Sequence, residues 1–302
     1  LLAAARLAKR LGAQIMGLGA FTKVVGDAGL TVSKRSPLPI TTGNSYSASG
    51  ALWAAHEALK KLGLVEVGEN NKAKAKAMVV GATGSIGAVC ARLLAKAVDE
   101  VYIVARESAR LLALKESIMK ETPEAKIHVT SNPNKYLREM DMIVTSTSGA
   151  GKRILDIMEV KPGCVITDVA RPLDIPPEDV AKRPDVLVIE SGEVELPGDV
   201  RMKNIGLPPK VAYACLAETI VLALEGRYET FTVGREIEWE KVREIYKLGL
   251  KHGMKLASIS GVNGVYTDED FDRVRTLAME KRGLKPAKAD SKGASKKAAT
   301  AS

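Results

Sequence analysis

Aromatic residues are scarce: Phe, Trp and Tyr make up 4% of the 302 residues. A platform for single-stranded nucleic acid stacks bases on aromatic rings, so this composition argues against one. Cysteine is rarer still. Cys90, Cys164 and Cys215 stand far apart, and no Cys-x-x-Cys pair occurs. That spacing argues against a zinc ribbon, a dithiol redox centre and a disulfide scaffold, and fits a reducing compartment. Long apolar runs are missing too. The apolar start, residues 1–19, is broken by Arg6, Lys9 and Arg10. It reads as an amphipathic helix, not as a signal peptide or membrane span. A cytoplasmic protein without an integral membrane segment is expected. His56, His128 and His252 form no triad-like arrangement and no metal constellation. The chain opens at Leu1 rather than Met, as expected of a fragment, a processed product or an incomplete gene model.

What is present suffices for a large core, with 46% hydrophobic residues over a length that suits two domains. The net charge is +9, and residues 284–302 carry five lysines against one aspartate. That low-complexity tail is expected to be disordered and solvated, and it gives poor grounds for nucleic-acid binding. Helices are expected over residues 1–11 and 46–62, with short extended runs at 14–21 and 37–40. A polar stretch at 68–76 marks a domain boundary. Strands and helices then alternate, with strands at 77–80, 101–104, 126–129, 142–145, 164–168 and 186–190, the pattern of a doubly wound parallel sheet. Past Pro208-Pro209 a helix is expected to 225, an extended segment over 227–233 and a further helix over 238–252.

One motif dominates. Met78-Val79-Val80 enters Gly81-Ala82-Thr83-Gly84-Ser85-Ile86-Gly87, and an alanine-rich helical pattern leaves it. Gly81 permits a tight turn, Gly84 lets backbone approach phosphate, and Gly87 lets the helix sit close to the sheet. Gly81, Thr83, Gly84, Ser85, Ile86 and Gly87 are therefore expected to hold a dinucleotide pyrophosphate at a helix N-terminus. Arg106 ends the next apolar run, where an NAD site more often carries an acid. With Ser108 beside it, it suits the 2′-phosphate of NADP(H). The Ser146-Thr147-Ser148-Gly149 loop is placed along the nicotinamide side.

Cys215 is flanked by alanines on an apolar helix, the usual setting of an inert core thiol. Its place near a helix N-terminus, with Lys210 expected in the first turn, instead favours a thiolate. Asn44, in the Thr41-Thr42-Gly43-Asn44-Ser45 turn, is either a helix cap or a substrate-orienting amide.

Several separated motifs, in order, resemble the cyanobacterial fatty acyl-ACP reductases: Gly17-Leu18-Gly19-Ala20-Phe21-Thr22, the Thr41–Asn44 turn, the glycine turn, Ala105-Arg106, Ala214-Cys215-Leu216-Ala217-Glu218 and Leu224-Glu225-Gly226. The order of elements also resembles the shikimate-dehydrogenase-like group. Tyr46 stands where the family carries a histidine. The resemblance implies that Cys215 takes an acyl group from a carrier thioester and that NADPH reduces it to an aldehyde. The carrier would be acyl carrier protein or coenzyme A, and a homo-oligomer is compatible. The expected architecture is a Rossmann domain (73–208), a second, discontinuous α/β domain (1–72 and 209–283) and the tail. The rival readings are a shikimate-, amino-acid- or tetrahydropterin-type dehydrogenase without covalent catalysis, and a non-catalytic NADP-binding protein.

Overall fold

The alternation of strand and helix closes as the sequence pattern demands. The computed structural model describes residues 1–19, 26–66, 68, 72–147, 152–170, 172–203 and 205–284. Residues 20–22 of the first motif, Ser148 and Gly149 of the expected nicotinamide loop, Arg171, and the tail from 285 lie outside the described residues. In chain order the first elements are α1 (Leu2–Arg10), β1 (Met16–Gly17), α2 (Leu30–Arg35), β2 (Ile40–Thr41) and α3 (Asn44–Leu62). The nucleotide half follows with β3 (Ala73–Val80), α4 (Ser85–Ala97), β4 (Val98–Val104), α5 (Ser108–Glu121), β5 (Lys126–Thr130), β6 (Met142–Thr145), β7 (Val165–Asp168), α6 (Pro177–Val180) and β8 (Leu187–Glu190). The last part holds β9 (Glu193–Glu195), β10 (Val211–Tyr213), α7 (Ala214–Leu224), α8 (Trp239–Lys251), β11 (Lys255–Leu256), β12 (Ser260–Gly261), β13 (Gly264–Val265) and α9 (Asp268–Lys281).

The main sheet runs β13-β12-β8-β7-β6-β3-β4-β5. From β8 to β5 every pairing is parallel. Counted from β3 as the first strand, this is the Rossmann order 3-2-1-4-5-6, whose topological switch lies between β3 and β6. The strands are buried on both faces, so they read as continuous apolar runs. Ala77 and Val79 join the cluster of α4 and α5, while Met78 and Val80 face the cluster of Leu137, Met140 and Ile157. These sets alternate because successive side chains of a strand point to opposite faces.

Helix α3 is walled in on most sides. Ala48, Ala51, Ala54, Ala55 and Ala58 are all buried. Such small side chains let it lie close to the sheet, α4, α7 and α8 at once. Its far half packs with Val165, Leu187 and Ile189 of the sheet and Phe271 and Val274 of α9.

Two expectations need correction. The helix placed after Pro209 begins only at Ala214. Lys210 takes φ +65°, a left-handed turn that no helix continues, and Val211 and Tyr213 pair instead with Glu195 and Glu193. The strand expected over 14–21 shrinks, among the described residues, to Met16–Gly17. The hairpin of β12 and β13 and the helix α9 carried no expectation; α9 opens with a capping box between Thr267 and Asp270. The segment over 227–233 runs beside β2, where Phe231 N–H donates to Ile40 O at 3.3 Å and Thr42 N–H to Thr232 O at 2.8 Å. No helix among the described residues is long and apolar enough to cross a membrane.

Candidate active site

The turn after β3 is built from backbone packed on backbone. Gly81 takes φ +86°, and the N–H groups of Gly81 and Ala82 donate to Val104 O at 2.9 and 3.0 Å. A Cβ on Gly87 would lie 2.3 Å from Gly81 O, and one on Gly81 2.7 Å from Ser146 O. A Cβ on Gly84 would meet Gly81 O at 3.2 Å. The glycines thus fold the turn on itself and press it to the end of β6, at the switch point. Helix α4 starts at Ser85 with no side-chain cap, and its first backbone bond is Ala88 N–H to Gly84 O at 2.8 Å. Ser85, Ile86 and Gly87 present the positive end of the helix to the crevice, with Thr83 half-buried beside them. These residues fit a dinucleotide pyrophosphate. Arg106 and Ser108 sit exposed just past β4, one strand to one side.

On the other side, β6 ends at Thr145, and the N–H of Ser146 just past it donates to Val80 O at 3.0 Å. Thr147 is tied down: its N–H and hydroxyl donate to Asp174 at 2.9 and 2.5 Å. Asp168 ends β7 and accepts the N–H groups of Ala170, Asp174 and Ile175 at 3.1, 2.7 and 2.9 Å. Burial pushes its carboxyl up to about 6, although these hydrogen bonds pull it down. Asp174 is a structural organiser that the sequence motifs did not single out.

The next strand leads to the cysteine. Gly192, just past β8, accepts Ala214 N–H at 2.6 Å, so α7 begins at the carboxyl edge of the sheet. Cys215, the second residue of α7, is half-buried. Cys90 and Cys164 are fully buried, and burial raises both thiols, Cys90 to about 12. They belong to the core, as expected. The backbone of Cys215 lies hard against the Thr41–Asn44 turn: a Cβ on Gly43 would fall 2.3 Å from Cys215 Cα and O. Asn44, the first residue of α3, is 5% exposed, and its Oδ1 is buried without a partner. Two helix N-termini, of α3 and α7, therefore meet at Cys215. The ring of Tyr46 is not part of this corner. It is buried, and a Cβ on Gly249 would fall 2.1 Å from its hydroxyl.

Lys210 does not join the corner in the way expected. It is exposed, β10 separates it from α7, and its carbonyl accepts Leu196 N–H at 2.7 Å. Cys215 lies on the β8 side and the glycine turn on β3. Three strand spacings, about 14 Å, separate β8 from β3. A separate cleft of about 430 Å³, lined by Trp53, Glu57, Lys61, Leu256, Tyr266 and Phe271, lies along the far half of α3 and includes neither feature. Among the described residues no cluster of His, Cys, Asp and Glu suits a metal ion.

Comparison with known proteins agrees with this architecture. Residues 64–195 match the family described as Shikimate / quinate 5-dehydrogenase. They form a Rossmann domain of the shikimate-dehydrogenase-like kind. The chain is 30% identical over 277 residues to Aminotransferase PigE of Serratia sp. (strain ATCC 39006), covering 89% of this chain. It spans 30% of that relative's length. It is 28% identical over 263 residues to the long-chain acyl-[acyl-carrier-protein] reductase of Synechococcus elongatus, covering 82% of this chain and 73% of that protein. Among solved structures, quinate dehydrogenase from Corynebacterium glutamicum in complex with NAD aligns at 14% identity and a TM-score of 0.36, over 57% of this chain and 64% of that one.

Proposed function

We propose that the chain is an NADPH-dependent oxidoreductase that takes a fatty acyl group from a thioester onto Cys215 and releases it as an aldehyde. The observation that carries this reading is the placement of Cys215. It is the one cysteine of three not sealed in the core. It stands in the first turn of a helix at the carboxyl edge of a dinucleotide-binding sheet, where ligands of such sheets sit. Similarity to the cyanobacterial reductase supports the same assignment.

The residues divide the work. The turn of Gly81, Thr83, Gly84, Ser85, Ile86 and Gly87 receives the pyrophosphate, and Arg106 with Ser108 the 2′-phosphate. Ser146 and Thr147 line the nicotinamide side. Cys215 Sγ attacks the thioester carbonyl, the bond from that carbon to the carrier sulfur breaks, and the carrier leaves as a thiol after taking one proton. When bound, NADPH supplies the hydride that takes the acyl carbon to the aldehyde level. The Cys215–acyl bond breaks and Sγ leaves as the thiolate. Asn44 orients the acyl carbonyl at the junction of the two helices.

Acyl carrier protein or coenzyme A is the proposed carrier, since the chain's charge of +9 suits either acidic partner. A cytoplasmic setting and the discontinuous domain of residues 1–72 and 209–283 are part of the same proposal. An aldehyde is a carbonyl compound of the kind aminotransferases aminate, so likeness to a segment of a longer aminotransferase fits an aldehyde-forming unit.

The test is direct. Incubated with acyl-CoA or acyl-ACP but no NADPH, the chain is expected to gain the mass of one acyl group, and Cys215→Ser to gain none. Adding NADPH should release aldehyde from the wild type, with a loss of roughly three orders of magnitude or more in the variant. The family match over 64–195 favours a second reading, a direct dehydrogenase of a polar substrate. Turnover of a hydroxy acid such as shikimate that survives Cys215→Ser would establish it instead.

A further inference from the structure

Resting on Cys215 as the acyl acceptor, we infer that Glu218 is a positioning residue: its buried carboxyl group caps α3 from a neighbouring helix and so holds the Thr41–Asn44 turn against Cys215.

The geometry explains why the cap comes from elsewhere. A helix usually draws its N-terminal cap from the residue just before it, whose side chain accepts the N–H two or three residues on. Before α3 that residue is Gly43, which has no side chain to offer. Nor has it room for one, because the backbone of Cys215 occupies the space a Cβ would need. The missing acceptor is supplied by Glu218. One carboxylate oxygen accepts Tyr46 N–H, the third residue of α3, at 2.9 Å. The other accepts the Thr41 hydroxyl. The Gly43 N–H and the Thr232 hydroxyl also face this group and oppose the rise in its pKa.

Glu218 lies three residues beyond Cys215, on the same face of α7. The lock extends to a third segment. Thr232 N–H donates to Thr41 Oγ1 at 3.1 Å, and the Thr232 hydroxyl to Ser45 Oγ at 2.7 Å. One fully buried carboxyl group thus gathers residues 41–46, 215–218 and 232. A buried carboxyl group is costly unless its hydrogen bonds are satisfied, and here burial raises its pKa while the bonds oppose the rise. Removing the side chain leaves Tyr46 N–H and the Thr41 hydroxyl without their acceptor and frees the turn to drift from Sγ.

The experiment compares Glu218→Ala with Glu218→Gln in the full chain. The first readout is the rate of Cys215 alkylation by iodoacetamide as a function of pH, located by peptide mass. The second is kcat and KM for aldehyde formation from acyl-CoA, with NADPH affinity as a control. Glutamine keeps an oxygen for Tyr46 N–H and can donate its amide to the Thr41 hydroxyl. A positioning role therefore gives Glu218→Gln a profile near wild type, while Glu218→Ala loses roughly ten-fold or more in alkylation rate and kcat, with NADPH affinity unchanged. A charge effect moves both variants alike, and that result overturns the inference. So does a folded Glu218→Ala with the wild-type profile. Should Glu218→Ala not fold, Thr41→Val removes one donor of the lock: a slowed Cys215 supports the role, and a wild-type profile refutes it. A wild-type chain whose Cys215 alkylates but takes no acyl group refutes the proposed function instead, because positioning is read from alkylation alone.

Discussion

The glycine turn and the cysteine corner are built by opposite means. The turn is contiguous: seven residues, small side chains and backbone contacts on neighbouring strand ends. Its shape is set by what is absent, since a Cβ at Gly81 or Gly87 would strike a carbonyl oxygen. The corner is discontinuous. It joins residues near 43, 215 and 232, and its shape is set by a buried carboxyl group with several donors. Both centre on the N-terminus of a helix that has no side chain of its own at the cap. In α4 the bare terminus faces the crevice; in α3 it is closed by Glu218. The same local feature therefore stays open to the crevice in one place and is closed from within in the other.

Two single-methyl substitutions should pull the regions apart. Gly43→Ala places a Cβ inside the backbone of Cys215, at a φ of +74° that alanine adopts at a cost. It is expected to slow acylation of Cys215 by roughly a hundred-fold, while NADPH binding, measured by nucleotide fluorescence, stays intact. Gly87→Ala should do the reverse, weakening NADPH by about two orders of magnitude in Kd while Cys215 still takes an acyl group in its absence. If each variant damaged both functions equally, the two regions would be one unit. A smaller effect sharpens the nucleotide side. Arg106→Ala should weaken NADPH by roughly ten- to a hundred-fold, the loss of charge-assisted bonds, and leave NADH binding unchanged in the same titration. Smallest is Lys210→Ala. An exposed side chain beyond β10 should change kcat by less than about three-fold; a larger loss would return Lys210 to the corner.

The two regions were also unequally legible in the sequence. The strand–glycine–helix register is local, so the motif alone located the turn, β4 and Arg106. Boundaries failed where long-range pairing overrode local pattern. Pro208-Pro209 with an apolar run reads as a helix start, yet β9 recruits Val211 and Tyr213 into a strand and moves Lys210 away from Cys215. The corner itself left only indirect marks. A glutamate among alanines and leucines on α7 is a candidate buried charge, and a glycine before a helix lacks a cap. Nothing in a linear pattern says that these two anomalies resolve each other.

The lock across the corner also bears on how the chain reaches its final form. The bond between Glu218 and Thr41 spans 177 residues, and that between Thr232 and Ser45 spans 187. Closing loops of that length in an unfolded chain carries an entropic cost that grows with their length. Most of the parallel sheet lies inside those loops, and its folding brings their ends together. The setting of the thiol therefore depends on contacts between distant segments that the folded sheet holds together.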